Sequence, residues 1–310
     1  MRVAIFGAGG VGGYLGARLA GGGAADVHLI ARGAHLDALR RNGLELRSVF
    51  GDARVTVAAT DDPSEIGPVD VIVFTVKATD TADASRRLRP LLGEDTAVIS
   101  FQNGVDNEQR IAAAIGERHV LGGVAFIFAT IAEPGVIDHT GGPTRFVFGE
   151  LNGATTKRAK RFLDVCRAAG IDVEISGDIR TAMWRKFVFI CAHAGMTAAA
   201  RMPVGALRED DAAWHMYRQV VEEGCAVAAA EGIGLPDDAV DTAMELAQGL
   251  DLGAYSSLHY DLEHGKPMEL ESLNGYVAAL GRRHDVDVPA NAAIYALLSP
   301  SARRNRAGRP

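Results

Sequence analysis

The chain has 310 residues, 48% of them hydrophobic and 23% charged, with a formal net charge of −7 at pH 7. That length exceeds one ordinary domain, so two are expected, and the composition supports packed cores and excludes wholesale disorder. The acidic balance argues against a nucleic-acid partner, the three cysteines (Cys166, Cys191 and Cys225) form no CxxC pair or even-numbered disulfide framework, and no apolar run reaches the ~18 residues of a membrane span.

The first segment, Arg2–Phe6 (RVAIF), reads as a buried parallel strand. The opening MRVAIFGAGG is not a signal peptide, because its apolar run breaks into glycines at once. A cytoplasmic location is therefore expected. A glycine-rich turn and helix follow, then a strand at Val27–Ile30 and a helix at Gly33–Asn42 that Gly43 terminates. Leu44–Arg47 and Ala53–Ala58 suit a pair around Gly51-Asp52. Val69–Val76, Ala97–Phe101 and Val120–Ala129 are further apolar strands, separated by helices at Thr79–Leu88 and Asp106–Ile115. Such alternation indicates a doubly wound parallel sheet. Gly135–His139 and Arg145–Phe148 read as a meander at one sheet edge.

Near Ser176-Gly177 the pattern changes to helices alone: Ile179–Ala200, Arg208–Glu231, Asp237–Gln248, Met268–Arg283 and Asn291–Leu298. The apolar stripe of Arg208–Glu231 suits either a homodimer or an intrachain core. The last residues, SARRNRAGRP, are basic and lack large apolar side chains, so a frayed tail is expected.

Gly7-Ala8-Gly9-Gly10-Val11-Gly12 fits G-x-G-x-x-G. Glycine occupies 36 of 310 positions, so ~0.5 chance matches are expected and context must decide. The context here is a strand before the motif and a helix after it. Gly7 permits the tight turn, Gly9 lets a pyrophosphate reach the backbone, and Gly12 lets the helix pack against the sheet. Gly10 belongs to the same cradle, and the helix N-terminus favours an anion. A NAD-binding turn places an acid after the second strand; here Ile30-Ala31-Arg32-Gly33 offers Arg32 instead, suited to the 2′-phosphate of NADPH.

GAGGVG, the ARG after the second strand, TVKA, FQNGVDNE, MWRKF and MELESLNG occur together in order over nearly the whole chain. In this the sequence resembles the ketopantoate reductase (2-dehydropantoate 2-reductase) family. The resemblance implies a Rossmann domain (1–176) that binds NADPH/NADP+. It implies an all-helical catalytic domain (177–298) of the 6-phosphogluconate dehydrogenase C-terminal type, with the basic tail (299–310) beyond it. It implies a cytoplasmic enzyme of pantothenate biosynthesis, with no metal, no nucleic acid and no membrane partner, that reduces a small 2-oxo acid in the cleft between the domains.

Residue by residue, the resemblance makes Lys186 the catalytic acid and Glu269, expected early in a helix, its assistant. Lys77 approaches cofactor and substrate, Asn103 binds near the nicotinamide ribose and orients substrate, and Ser257, rather than Ser256, bonds the substrate carboxylate, with Asp261 bracing the site. A lysine in the apolar stretch AMWRKFVFICAHAGM must in any case find a partner or a ligand. A protonated amine there suits the alkoxide that hydride addition creates. Pantoate-forming members carry asparagines four and eight residues after this lysine, where this chain has Ile190 and Ala194. Another 2-oxo acid is thus the alternative substrate, and a non-catalytic NADP(H) sensor the alternative of a different class. His193 reads as a core histidine or a replacement polar contact. His259 and His264 lack the ligand set of a zinc site.

Overall fold

The computed structural model describes residues 1–308. Their contacts divide the chain into two compact units. The first comprises Met1–Gln102 with Asp106–Ile179; the second comprises Asn103–Val105 and the chain from Arg180 onward.

In the first unit, twelve strands form: β1 Arg2–Phe6, β2 Asp26–Ile30, β3 Leu44–Ser48, β4 Ala53–Val55, β5 Ala58–Thr60, β6 Val69–Phe74, β7 Leu92–Ser100, β8 Val120–Phe126, β9 Ala129–Glu133, β10 Val136–His139, β11 Arg145–Glu150 and β12 Val173–Ile175. Eight of them build one sheet in the order β12-β11-β8-β7-β6-β1-β2-β5. All neighbours run parallel except β11, which opposes β8. The helices of this unit are α1 Gly10–Gly21, α2 Gly33–Asn42, α3 Thr81–Arg86, α4 Asn107–Ile115 and α5 Lys157–Ala168. Strand residues alternate between two cores: Val3, Ile5, Val71, Val73 and Ile99 enter one, and Ala4, Phe6, Ile72, Phe74 and Val98 the other. Burial on both faces explains why these strands read as continuous apolar runs.

The expected doubly wound sheet is present, with differences at its margin. β10 is not part of a meander with β11. It pairs with β3 and β9 in a separate four-stranded sheet, β4-β3-β10-β9. The hairpin of β3 and β4 belongs to the same sheet. The apolar run from Val120 breaks after Phe126, so that β8 and β9 serve different sheets.

The second unit is helical: α6 Ile179–Ala200 (which begins on the last residue of the first unit), α7 Val204–Glu209, α8 Asp211–Ala230, α9 Ala239–Gly249, α10 Ser257–Glu263, α11 Asn274–His284 and α12 Pro289–Ala307. The helix expected over Arg208–Glu231 is cut at Asp210, whose carboxylate accepts from Ala213 N–H at 2.8 Å and caps α8. The apolar stripe of α8 (Tyr217, Val220, Val221, Val227) is buried in the core of its own unit. Residues 299–307 are not frayed: α12 continues through Pro300 to Ala307. Asn305 is buried and donates to the backbone oxygen of Lys266 at 3.1 Å, which anchors the last turns. No helix among the described residues is long and apolar enough to cross a membrane.

Candidate active site

The glycine turn leaves β1 where the strand order reverses, with β2 on one side and β6 on the other. Open α/β sheets bind ligands at this position. Gly7 and Ala8 N–H both donate to Ile30 O, at 3.1 and 3.2 Å. Gly7 has φ +106°, and a Cβ on it would meet Val76 N at 2.8 Å, so no other residue suits it. A Cβ on Gly12 would lie 2.2 Å from Gly7 O and 2.4 Å from Thr75 Oγ1. At Gly10 the obstacle is Ala129 O, 1.9 Å away. Gly10 is thus accounted for by the packing of β9 on α1, which spacing did not reveal. Gly9 differs from all of these: nothing lies within 4 Å of its Cβ position. This opening lies just before the first N–H groups of α1.

Three polar side chains that the motif reading missed hold the turn and its surroundings. Thr75 Oγ1 donates to Gly7 O at 2.7 Å. His35 bonds Ala8 O through Nε2 at 2.8 Å and accepts from Gly135 N–H at Nδ1 at 3.0 Å. Burial lowers its pKa, in keeping with this neutral tautomer. Asp80, in the short turn Ala78–Asp80 beyond β6, pairs with Arg32 at 2.9 Å. Arg32 is the residue before α2, and its side chain is 79% exposed. Lys77 stands half-buried at the start of the same turn.

In the second unit, Lys186 lies on α6, and its Nζ donates to Asn103 Oδ1 at 2.8 Å. Asn103 follows β7 by three positions but belongs to the second unit by its contacts. Burial draws the Lys186 pKa from 10.5 down to about 8, and the negative charge of Glu269 opposes that fall. Glu269 is not in the helix expected for it. It immediately precedes the short turn Leu270–Ser272, ahead of α11. Glu271 points away and is exposed, accepting from Tyr295 Oη at 2.9 Å. Of the sequence candidates, Lys186 and Asn103 therefore bond each other, and Glu269 lies within electrostatic reach of Lys186.

Ser257 is exposed at the first position of α10, while Ser256 is buried, caps that helix and accepts from Thr197 Oγ1 at 2.8 Å. Asp261 is buried in α10. Ile190 is half-buried and Ala194 buried. His259 and His264 stack on Tyr255 and Tyr260. Among the described residues no group of three or more His, Cys, Asp or Glu side chains is arranged to hold a metal ion.

Residues 3–153 match the family model described as ketopantoate reductase PanE/ApbA, and residues 178–302 match its C-terminal counterpart. A 2-dehydropantoate 2-reductase of Mesorhizobium japonicum is 32% identical, over 96% of this chain and 97% of its own. The crystal structure of a PanE/ApbA family ketopantoate reductase from Ralstonia eutropha JMP134 superposes with a TM-score of 0.91 at 35% identity, covering 99% of this chain and 100% of that one. A D-mandelate dehydrogenase crystallised with NADH and anilino(oxo)acetate shares the fold, with a TM-score of 0.90 at 22% identity over 99% of each chain.

Proposed function

Since this chain belongs to the ketopantoate reductase family of oxidoreductases, we propose that it reduces a small 2-oxo acid to the 2-hydroxy acid with NADPH. The observation that carries this reading is the Lys186 ammonium, half-buried, bonded to Asn103 at 2.8 Å and held in its charged form by Glu269. NADPH would be held by the glycine turn around the open position at Gly9, with Arg32 on its 2′-phosphate and Lys77 beside it. Bound there, it supplies the hydride that adds to C2 of the substrate.

The chain's own residues handle charge and proton. Lys186 hydrogen-bonds the oxo group, stabilises the oxygen as negative charge develops on it, and passes it a proton. Its pKa of about 8 leaves it mostly protonated at neutral pH and more acidic than an ordinary lysine. Asn103 fixes the direction of Nζ, and Glu269 preserves its charge. The exposed Ser257 hydroxyl receives the substrate carboxylate. Water then reprotonates Lys186.

Neither the half-buried Ile190 nor the buried Ala194 can hydrogen-bond, which favours a 2-oxo acid other than ketopantoate unless a different side chain takes the substrate's hydroxyl. The test is turnover of a 2-oxo acid panel with NADPH and with NADH, by the wild type and by Arg32→Ala. The substitution should raise the KM for NADPH by about tenfold or more and leave that for NADH nearly unchanged. Equal effects on both refute the cofactor assignment. No turnover of any 2-oxo acid refutes the reductase reading.

A further inference from the structure

Helix α6 has two distinct faces. Val188, Cys191 and Gly195 look into the helical core: Val188 packs on Gly224, Cys191 O accepts from Asn274 Nδ2 at 3.2 Å, and a Cβ on Gly195 would lie 2.7 Å from the Asn274 amide oxygen. At about 100° per residue, Lys186, Ile190, His193 and Thr197 fall on the opposite side, within an arc of about 60°. Burial increases along that line. Lys186 and Ile190 are half-buried, His193 is 2% exposed and Thr197 is fully buried. The Tyr255–Ser256 segment closes the far end: Ser256 Oγ accepts from Thr197, and the Tyr255 backbone approaches the His193 ring without the geometry of a hydrogen bond.

His193 carries more polarity than this place uses. Its ring stacks on Phe189, one turn back, at 5.8 Å and 5°. Neither ring nitrogen makes a hydrogen bond. Burial holds the ring neutral, with a pKa of about 4, so it offers one N–H and one lone pair. The charge of Arg208 reaches it. That guanidinium donates from Nη2 to Leu250 O at 2.8 Å and also to Ala247 O, while its Nε is buried without a partner. Arg208 makes no ion pair with any described residue. The Tyr217 hydroxyl, also under the influence of Arg208, is buried and unpartnered as well. A buried polar group left unmet in this way destabilises the fold that holds it. Two unmet donors, the His193 N–H and the Tyr217 hydroxyl, and a cation with an unmet Nε–H and no ion pair among the described residues form an environment suited to an oxygen acceptor.

We propose that His193 is the specificity-determining contact of the reaction proposed above and receives an oxygen at the end of the substrate's side chain. This inference rests on the 2-oxo acid reading. Side chains of a helix lean toward its N-terminus, which brings the imidazole over the turn of Phe189 and Ile190, next to that of Lys186. The substrate's side chain is accordingly an apolar stem, lined by Ile190 and Phe189, that ends in a hydroxyl or a carboxylate. A buried donor left unmatched by a substrate lacking that oxygen discriminates far better than an apolar pocket can.

The experiment compares wild type, His193→Leu and His193→Gln on three acids: 2-oxoisovalerate, which ends in hydrocarbon; ketopantoate, the same skeleton with a terminal hydroxymethyl; and 2-oxoglutarate, which ends in a carboxylate. The wild type should prefer one oxygen-ended acid over 2-oxoisovalerate by about 100-fold or more in kcat/KM. Which of the two it prefers tells hydroxyl from carboxylate. His193→Leu should cut that preference to below about tenfold, mainly through KM, and His193→Gln should restore part of it. The melting temperature of His193→Leu should hold or rise, since an unpartnered buried polar group is removed. A lower melting temperature with all three acids impaired alike means a structural role and overturns the proposal, as does a wild type that prefers 2-oxoisovalerate. Calorimetric binding of the same acids gives a readout independent of turnover. If no acid is turned over, the reductase reading fails, but the affinity ranking of wild type against His193→Leu still decides this proposal, and equal affinities overturn it.

Discussion

Replacing Glu269 with Gln removes the negative charge that opposes the fall of the Lys186 pKa. An opposite charge at close range shifts a pKa by about one unit or more. Glu269→Gln should therefore lower the Lys186 value from about 8 to about 7. If the protonated amine is the working form, kcat/KM for reduction falls on the alkaline side of that value. At saturating NADPH the wild-type profile should break near pH 8, and that of Glu269→Gln about one unit lower. The protonated fraction then drops about twofold at pH 7 and about fivefold at pH 8, so the two profiles diverge as the solution is made more basic. A break that stays in place or moves upward refutes the coupling, and Lys186→Met with an unchanged break refutes the assignment of the acid. Stability provides a second readout. The drop from 10.5 to about 8 amounts to roughly 3 kcal/mol against the charged lysine. Because the folded pKa lies below the unfolded one, stability should rise with pH between about 8 and 10.5 in the wild type and lose that rise in Lys186→Met. Below that window Lys186→Met, though inactive, should be as stable as the wild type or more so, by about 1–2 kcal/mol after loss of the Asn103 bond.

Two contrasts within the first unit provide further checks. Gly9→Ala meets open space and should keep its stability within about 0.5 kcal/mol while weakening NADPH binding about tenfold or more; Gly12→Ala, forced against Gly7 O and Thr75 Oγ1, should lose about 1–3 kcal/mol. Calorimetric melting and cofactor titration of both variants test this, and equal destabilisation contradicts it. Glu108 is buried on α4, with Oε2 unpartnered and its pKa pushed up to about 8 by burial. The folded chain thus holds a proton that the unfolded chain releases above about 4.5, and stability should fall as pH rises from there toward 8. Glu108→Gln should raise the melting temperature at pH 8 and change little at pH 4.5; a uniform shift at both values removes the reason given.

Most of the architecture was legible because its signals are local. β1, β6, β8 and the second half of β7 are buried on both faces, and β2 ends in the apolar Leu29-Ile30, so each announces itself without knowledge of its neighbours. α6 was legible to the residue at both ends. The second sheet was legible only in pieces: the β3–β4 pair and a strand at β10 were expected, but not that β10 joins β3 and β9. Their pairing joins Leu44–Ser48 to Val136–His139 across some ninety residues, and no local pattern records such a distance. The end of α12 was hidden for a related reason. Its composition is that of a solvated tail, and what anchors it is one buried amide, Asn305, reaching the backbone of Lys266.

The candidate site divides along the same line. Lys186 drew attention because a charge inside an apolar helix requires an explanation, and the structure supplies Asn103 and Glu269 from segments far away in sequence. Asp80, His35 and Thr75 drew none, because a polar residue in a loop or at a strand end is ordinary until its partner is known. The glycines show the limit most clearly. Gly7, Gly9, Gly10 and Gly12 are equivalent letters in a motif, yet Gly10 is required by Ala129 O and Gly12 by Gly7 O, whereas Gly9 is opposed by no atom of the protein. Openness at a Cβ position is not special in itself, since Gly177, Gly234 and Gly249 share it; at Gly9 it coincides with the N-terminus of α1 and with a motif that the other three glycines satisfy by packing. Gly9 is therefore the motif position at which the proposed cofactor contact and the fold's own packing can be told apart by substitution.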